Sequence, residues 1–305
     1  MNATFKDSLP DELITHVTSM CGERGVRWLT DLERNVGDLE RIWSIKIEKP
    51  FSAGEYNFVA PALHADGELM VLKIAPPFDT VEIFGEASFL RHRDGNGAVR
   101  LIAEDTSRFA ILLEHALPGE NLAEMFKENE TAATQPAIEV LRSILSPPPR
   151  DTAGIGTLDN WFDGLRRYSS TEFPAGYAAK ALKIYDRLSG QSARTLYLHG
   201  DFHPGNIVSA TRSPFLAIDP KGIIGHMGYD VAVYLNNFHS WNEHRSDIGV
   251  RLVEVITAFA SAFDIHATEL MEWAFAQKVL SAWWTFDETP EMYNNEVAKA
   301  DIWDV

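Results

Sequence analysis

The chain has 305 residues, 45% of them hydrophobic, and its 44 acidic residues outnumber its 27 basic ones for a net charge of −17. That length buries a sizeable core and leaves room for two lobes or domains. The acidic balance excludes nucleic acid and anionic membranes as partners, because both are bound by Lys and Arg neutralising phosphates.

No run of about eighteen apolar residues occurs, so no transmembrane helix is expected. Cys21 is the single cysteine, so neither an intrachain disulfide nor a Cys-based zinc site can form. The opening segment Met1 to Asp7 lacks the basic and apolar regions of a secretion signal, and a soluble cytoplasmic protein is expected. The negative field attracts cationic ligands, although it serves solubility equally well.

In chain order, residues 10–40 are predicted helical, with Leu13, Ile14, Val17 and Met20 at the spacing of one face. From 43 the pattern turns to strands. Tyr56–Ala60 and Leu69–Ile74 flank the turn-like His64-Ala65-Asp66-Gly67. Residues 80–92 are predicted helical, with Val81, Phe84 and Phe89 among charges. Val99–Ile102 and Phe109–Leu113 are two further strands. After Pro118-Gly119 the chain is mainly helical, over 121–145, 158–188, 228–240, 246–262 and 268–286. Ser146-Pro147-Pro148-Pro149-Arg150 cannot lie inside a helix. Two short strands, Thr195–Leu198 and Phe215–Ile218, flank the stretch His199 to Asn206.

That stretch reads His-Gly-Asp-Phe-His-Pro-Gly-Asn, and Ile218-Asp219-Pro220 follows it. Phosphoryl transfer from ATP needs one carboxylate to orient and deprotonate a hydroxyl, with an amide and a second carboxylate to hold Mg²⁺ on the phosphates. The protein-kinase pattern H-R-D-x-x-x-x-N followed by D-F-G has the same order. Asp201 is therefore the candidate base, and Asn206 and Asp219 are the candidate Mg²⁺ ligands, hard oxygen donors of the kind that ion prefers. Pro220 fixes the backbone where protein kinases carry a mobile Phe-Gly, which predicts a constitutively active enzyme. His199, Asp201 and His203 alternate as a metal site might, but such sites want further ligands. His199 is expected to hold the loop through backbone hydrogen bonds, and His203 to shape the loop or approach substrate. Lys73, ending an apolar strand, is a candidate phosphate ligand or a snorkelling lysine. No Walker A sequence is present, which argues against a P-loop kinase.

Taken in order, Val71-Leu72-Lys73, Glu86-Ala87-Ser88-Phe89-Leu90-Arg91, Ala98-Val99-Arg100-Leu101-Ile102, Ile111-Leu112-Leu113-Glu114, the His199–Asn206 stretch and Ala217-Ile218-Asp219-Pro220-Lys221-Gly222 resemble the aminoglycoside phosphotransferase family, in its streptomycin 6-kinase and hydroxyurea-resistance branch. The resemblance runs from about residue 45 to about residue 285 and rests most on the His199–Asn206 stretch with its following Asp. It implies an α+β, two-lobed protein-kinase-like fold. A lobe over 1–113 would combine the helical lead-in 1–40 with a β-rich part, 114–119 would connect, and a helical lobe would span 120–305. It implies ATP and Mg²⁺ as cofactors and a small-molecule acceptor, cationic if streptomycin-like. It makes Glu86 the partner of Lys73, with Glu82 one turn earlier as the alternative. It gives Glu114 and Ala116 backbone roles towards adenine, and Ser52-Ala53-Gly54-Glu55 the place of the phosphate loop.

Within the helical lobe, Asp159, Asp163, Asp230, Glu243 and Asp287 are candidate acceptor acids, and Trp241, Trp283 and Trp284 candidate aromatics. Asp230 is alternatively a brace for the catalytic loop. Trp283 and Trp284 cannot both face one side of a helix. Other acceptors on this fold remain open (hydroxyurea, a ketosamine, choline, homoserine or methylthioribose). So do a non-catalytic nucleotide-binding module and, through His199, Asp201 and His203, a metal-dependent hydrolase. Oligomeric state is not encoded.

Overall fold

Gly22 splits the expected helix 10–40 in two. At φ +52 it takes a left-handed conformation open to a residue without Cβ, ending α1 (Asp11–Cys21) and starting α2 (Glu23–Trp43). Leu13, Val17 and Cys21 form the buried stripe of α1, whereas Met20 is exposed. Spacing of four from Leu13 selects Cys21 in place of Met20. The computed structural model describes residues 5–52, 56–77, 80–167, 173–190, 194–288 and 293–304. The side chains of 6, 80, 81, 287, 288 and 293–295 lie outside that description.

Two compact units divide between Gly119 and Glu120. The first holds an antiparallel sheet in the order β1-β2-β3-β5-β4. Its strands are β1 (Ile45–Ile47), β2 (Phe58–His64), β3 (Leu69–Ile74), β4 (Leu101–Asp105) and β5 (Ala110–Glu114), with α3 (Thr80–Arg93) between β3 and β4. Alternation along the strands sorts the faces. Phe58, Ala60, Ala62, Met70, Leu72, Ile74, Ala110 and Leu112 pack in one core with Leu13, Val17, Leu32, Val36 and Leu39 of the lead-in helices. Lys73 falls on the opposite face, in register with Val59 and Ile111. The expected strand at 99–102 starts two residues later and runs further, and the one at 56–60 begins at Phe58 and continues through the turn's first residue.

The second unit is mainly helical. It contains α4 (Leu122–Met125), α5 (Thr134–Ile144), α6 (Leu158–Arg167), α7 (Ala175–Ser189), α8 (Gly228–Asn242), α9 (Ile248–Phe263), α10 (Ala267–Glu288) and α11 (Tyr293–Ala298). The expected helix 121–145 is interrupted by a 3-10 turn at Glu130–Ala133, and 158–188 becomes α6 and α7, the latter opening after Pro174. Two three-stranded sheets accompany the helices, ordered β10-β9-β6 and β7-β11-β8. They comprise β6 (Pro118–Asn121), β7 (Gly156–Thr157), β8 (Thr195–Leu198), β9 (Ile207–Ala210), β10 (Phe215–Ala217) and β11 (Ile223–His226). Helix α8 is buried almost all round, which is why its sequence is apolar without a clear stripe.

The C-terminal tail is part of the core. Trp303 is 2% exposed, and its indole Nε1 donates to Asn236 Oδ1 at 2.7 Å. Asn236 Nδ2 in turn donates to the Ala274 carbonyl at 2.9 Å and Gln277 Oε1 at 2.6 Å. Trp303→Ala should therefore cost about 3–5 kcal/mol of unfolding free energy, the usual loss for a buried Trp, measured by urea denaturation. Trp303→Phe should recover only part of it, since Asn236 Oδ1 would lose its donor.

Candidate functional site

Strand register brings the two sequence-predicted segments together. β8 pairs antiparallel with β11, Leu198 opposite Ile223, and β9 pairs antiparallel with β10, Ile207 opposite Ala217. The loop 199–206 and the segment 218–222 thus leave adjacent strands at both of their ends. Backbone bonds close the gap: Lys221 N–H donates to the His199 carbonyl at 2.7 Å and Ile218 N–H to the Asn206 carbonyl at 2.9 Å. Neither β9 nor β11 was expected from the sequence. Each is short, and its apolar run is broken, by Ser209 in β9 and by Gly225 in β11.

Asp230, in the first turn of α8, holds the start of the loop. Its carboxylate accepts from His199 N–H at 2.9 Å and Gly200 N–H at 2.7 Å. Burial raises its pKa to about 7, against the lowering effect of those two donors. Gly200 has φ +84, and a Cβ there would meet Lys221 Cβ at 3.0 Å, the Trp161 ring at 3.2 Å and Ile223 at 3.3 Å. Backbone conformation and lack of space both demand glycine.

His199 is fully buried and neutral, since burial drives its pKa down to about 3. Its Nε2 lies 2.9 Å from the Ile218 carbonyl and its Nδ1 accepts from Asp201 N–H at 3.3 Å. Both ring nitrogens are engaged, which fixes the Nε2–H tautomer and leaves no lone pair for a metal. His203 Nδ1 accepts from Gly205 N–H at 3.1 Å, and its Nε2 lies 3.8 Å from Asp201 Oδ1. Burial also lowers the His203 pKa, opposed by the nearby Asp201 and Asp219 carboxylates. Asn206 Nδ2 donates to the Asp201 carbonyl at 3.0 Å and reaches Asp201 Oδ2 at 3.4 Å. Asp219 sits at φ +59, a left-handed conformation that Asp tolerates better than most residues, immediately before a proline that restricts it further.

In the first unit, Lys73 Nζ lies 2.6 Å from Glu86 Oε2, with side chains 9% and 3% exposed. Glu86, not Glu82, is the partner found. Glu114 N–H donates to the Arg100 carbonyl at 2.9 Å, while its carboxylate accepts from Arg100 N–H at 2.9 Å. Ala116 is buried. Of the Ser52–Glu55 loop, 53–55 lie outside the described residues.

The candidate acceptor acids with described side chains have partners within the protein. Asp159 accepts from Tyr185 Oη at 2.8 Å, Asp163 pairs with Arg166 at 2.9 Å, and Glu243 lies 3.5 Å from Lys299. Asp230 is buried beneath the loop, and the Asp287 side chain is outside the description. Trp283 is buried while Trp284 is exposed, as opposite helix faces require. Two features stand beside the loop, and of the residues that form them only Trp241 was singled out from the sequence. One is a cleft of about 640 Å³ against Pro204 and Gly205, lined among others by Glu124, Lys127, Glu128, Trp241 and Arg245. The other is Trp161, which packs on Gly200.

Comparison with known proteins accords with this geometry. Residues 43–289 match the family of aminoglycoside/hydroxyurea antibiotic resistance kinases. The chain is 27% identical over 299 residues to a streptomycin 6-kinase of Streptomyces glaucescens, covering 92% of this chain and 91% of that one. It is 28% identical over 242 residues to a hydroxyurea phosphotransferase of Kitasatospora aureofaciens, covering 75% and 68%. Among solved structures it resembles the choline kinase LicA from Streptococcus pneumoniae, with TM-score 0.64 at 11% identity over 89% of this chain and 98% of that one. That likeness shows the fold: an antiparallel sheet followed by a mainly helical part.

Two outcomes follow from the loop brace. Gly200→Ala should lower the melting temperature and abolish turnover, because the strain and the crowding act at the same residue. The second concerns pH. A carboxyl whose folded pKa is raised binds its proton more tightly when folded, so its contribution to stability declines as pH rises from about 4 to about 7. The unfolding free energy of the native chain relative to Asp230→Asn should fall across that window; a flat difference would show that Asp230 is ionised throughout.

Proposed function

Because the chain belongs to the aminoglycoside/hydroxyurea antibiotic resistance kinase family, we propose that it transfers the γ-phosphoryl group of ATP to a hydroxyl of a streptomycin-like aminoglycoside and so confers resistance to it. The observation that carries this reading is the pinned loop, in which Asn206 is hydrogen-bonded to Asp201 and the Asp219 segment is tied to both loop ends.

Asp201 orients the acceptor hydroxyl and takes its proton as the oxygen bonds to the γ-phosphorus. The bond from that phosphorus to the β,γ-bridging oxygen breaks, ADP departs with the electron pair, and the proton passes from Asp201 to solvent. With Asn206 Nδ2 donating to Asp201, the amide Oδ1 and the Asp219 carboxylate would be the hard oxygen donors to hold Mg²⁺. Bound there, Mg²⁺ would neutralise phosphate charge. Lys73, held by Glu86, would bind nucleotide phosphates in the way of the kinase strand lysine. The Glu114 carbonyl and Ala116 N–H would face adenine. LicA has been solved in complex with AMP.

The streptomycin 6-kinase relatives and the net charge of −17 both favour a cationic acceptor. The hydroxyurea phosphotransferase relative makes hydroxyurea the second reading. A metal-dependent hydrolase is disfavoured, because both His199 nitrogens are engaged. A non-catalytic module is disfavoured by the intact set Lys73, Asp201, Asn206 and Asp219.

ADP release by purified protein with Mg²⁺-ATP should rise on adding streptomycin, and Asp201→Asn should reduce that turnover by at least about 100-fold, the lower end for loss of a general base. Lys73→Ala should raise the KM for ATP. Release stimulated by hydroxyurea alone would reassign the acceptor. Streptomycin turnover undiminished in Asp201→Asn would remove the assigned base.

A further inference from the structure

Trp161 and Trp284 stand at the edge of the loop that carries Asp201, and the core does not consume them. Trp161, on α6, packs over Gly200, where a Cβ would lie 3.2 Å from its ring. Trp284, on α10, meets the Trp161 ring with centroids 5.2 Å apart and planes at 87°. It remains 36% exposed, whereas Trp273, Trp283 and Trp303 are buried. Behind the pair, the buried Tyr229 ring lies 5.7 Å from Trp161. Tyr229 precedes Asp230, so the aromatic corner and the loop brace share one helix end.

An exposed indole forgoes one of the largest apolar burials a side chain offers. These two indoles at right angles, with Trp161 against the glycine that precedes Asp201, leave ring surface uncovered beside the loop. Indole is the aromatic face that best attracts an ammonium or guanidinium group. The net charge of the chain, −17, has the matching sign. The rival surface is the cleft on the Pro204–Gly205 side, where Trp241, 42% exposed, stands beside Glu124, Glu128 and Glu130 as well as Lys127 and Arg245.

We infer that the Trp161–Trp284 corner is the recognition surface for the cationic group of the acceptor, selecting guanidinylated or aminated alcohols over neutral ones. The inference rests on the phosphotransferase reading above and adds the residues that make the acceptor cationic.

The test compares acceptor kinetics of the native chain, Trp284→Ala, Trp284→Phe, Trp161→Phe and Trp241→Ala with streptomycin and with neutral hydroxyurea. Trp284→Ala should raise the KM for streptomycin about tenfold and leave kcat within about twofold, the scale of one lost cation–π contact. Trp284→Phe should recover most of that loss, and Trp161→Phe should fall between native and Trp284→Ala. Trp241→Ala should leave the KM unchanged. Native turnover of streptomycin with the same KM in Trp284→Ala, or a rise confined to Trp241→Ala, overturns the inference and leaves the proposed function standing. A native chain that phosphorylates hydroxyurea but not streptomycin, or that phosphorylates neither, overturns both.

Discussion

One buried carboxylate sets the geometry of the second unit. Asp230 accepts the N–H groups of His199 and Gly200 at 2.9 and 2.7 Å. A carboxylate removed from water is costly unless such donors replace its hydration, so Asp230 and the loop backbone specify one another. With those two peptide groups fixed, Gly200 is committed to φ +84 and the chain leaves it towards Asp201 in one direction. The same turn of α8 supplies Tyr229, which backs Trp161. A single helix N-terminus therefore orients the start of the loop, the glycine before Asp201 and the aromatic corner beside it.

Desolvation organises the rest of the loop. His199 is driven to the neutral form, and in that form it bridges Asp201 N–H and the Ile218 carbonyl, the two segments that the strands bring together. A charged imidazole would repel one of those partners, since both ring nitrogens would then donate. In the first unit the Lys73–Glu86 pair is buried as well. Such pairs contribute little net stability, although removing one partner is expensive.

Asp201, Asn206 and Asp219 could be singled out because phosphoryl transfer calls for those residue types in that order, and the strands do bring their two segments together. Glu86 was preferred to Glu82 on its surrounding motif, and it is found paired with Lys73. Helix existence was also readable, but breaks at Gly22, Pro174 and the 130–133 turn were not, since apolar spacing runs across them. Strands β6, β7, β9 and β11 escaped notice because they lack the unbroken apolar run that marked the equally short β8 and β10. Met20 was misplaced because i+3 and i+4 neighbours compete for one stripe, and Cys21 won. The acceptor surface was least accessible. The acids singled out are held by Arg166, Tyr185, Lys299 and loop backbone, while Trp161 carries no motif and gains meaning only through its contact with Gly200. Recognition of a small molecule depends on which residues the fold gathers, and that information is long-range.

The most direct test of the central claim is phosphorus NMR of the complete reaction with ATP, Mg²⁺ and streptomycin. The account predicts a phosphomonoester resonance on the aminoglycoside, growing one for one with ADP. ADP accompanied only by inorganic phosphate would contradict it, because the pinned loop would then be activating water and not an acceptor hydroxyl.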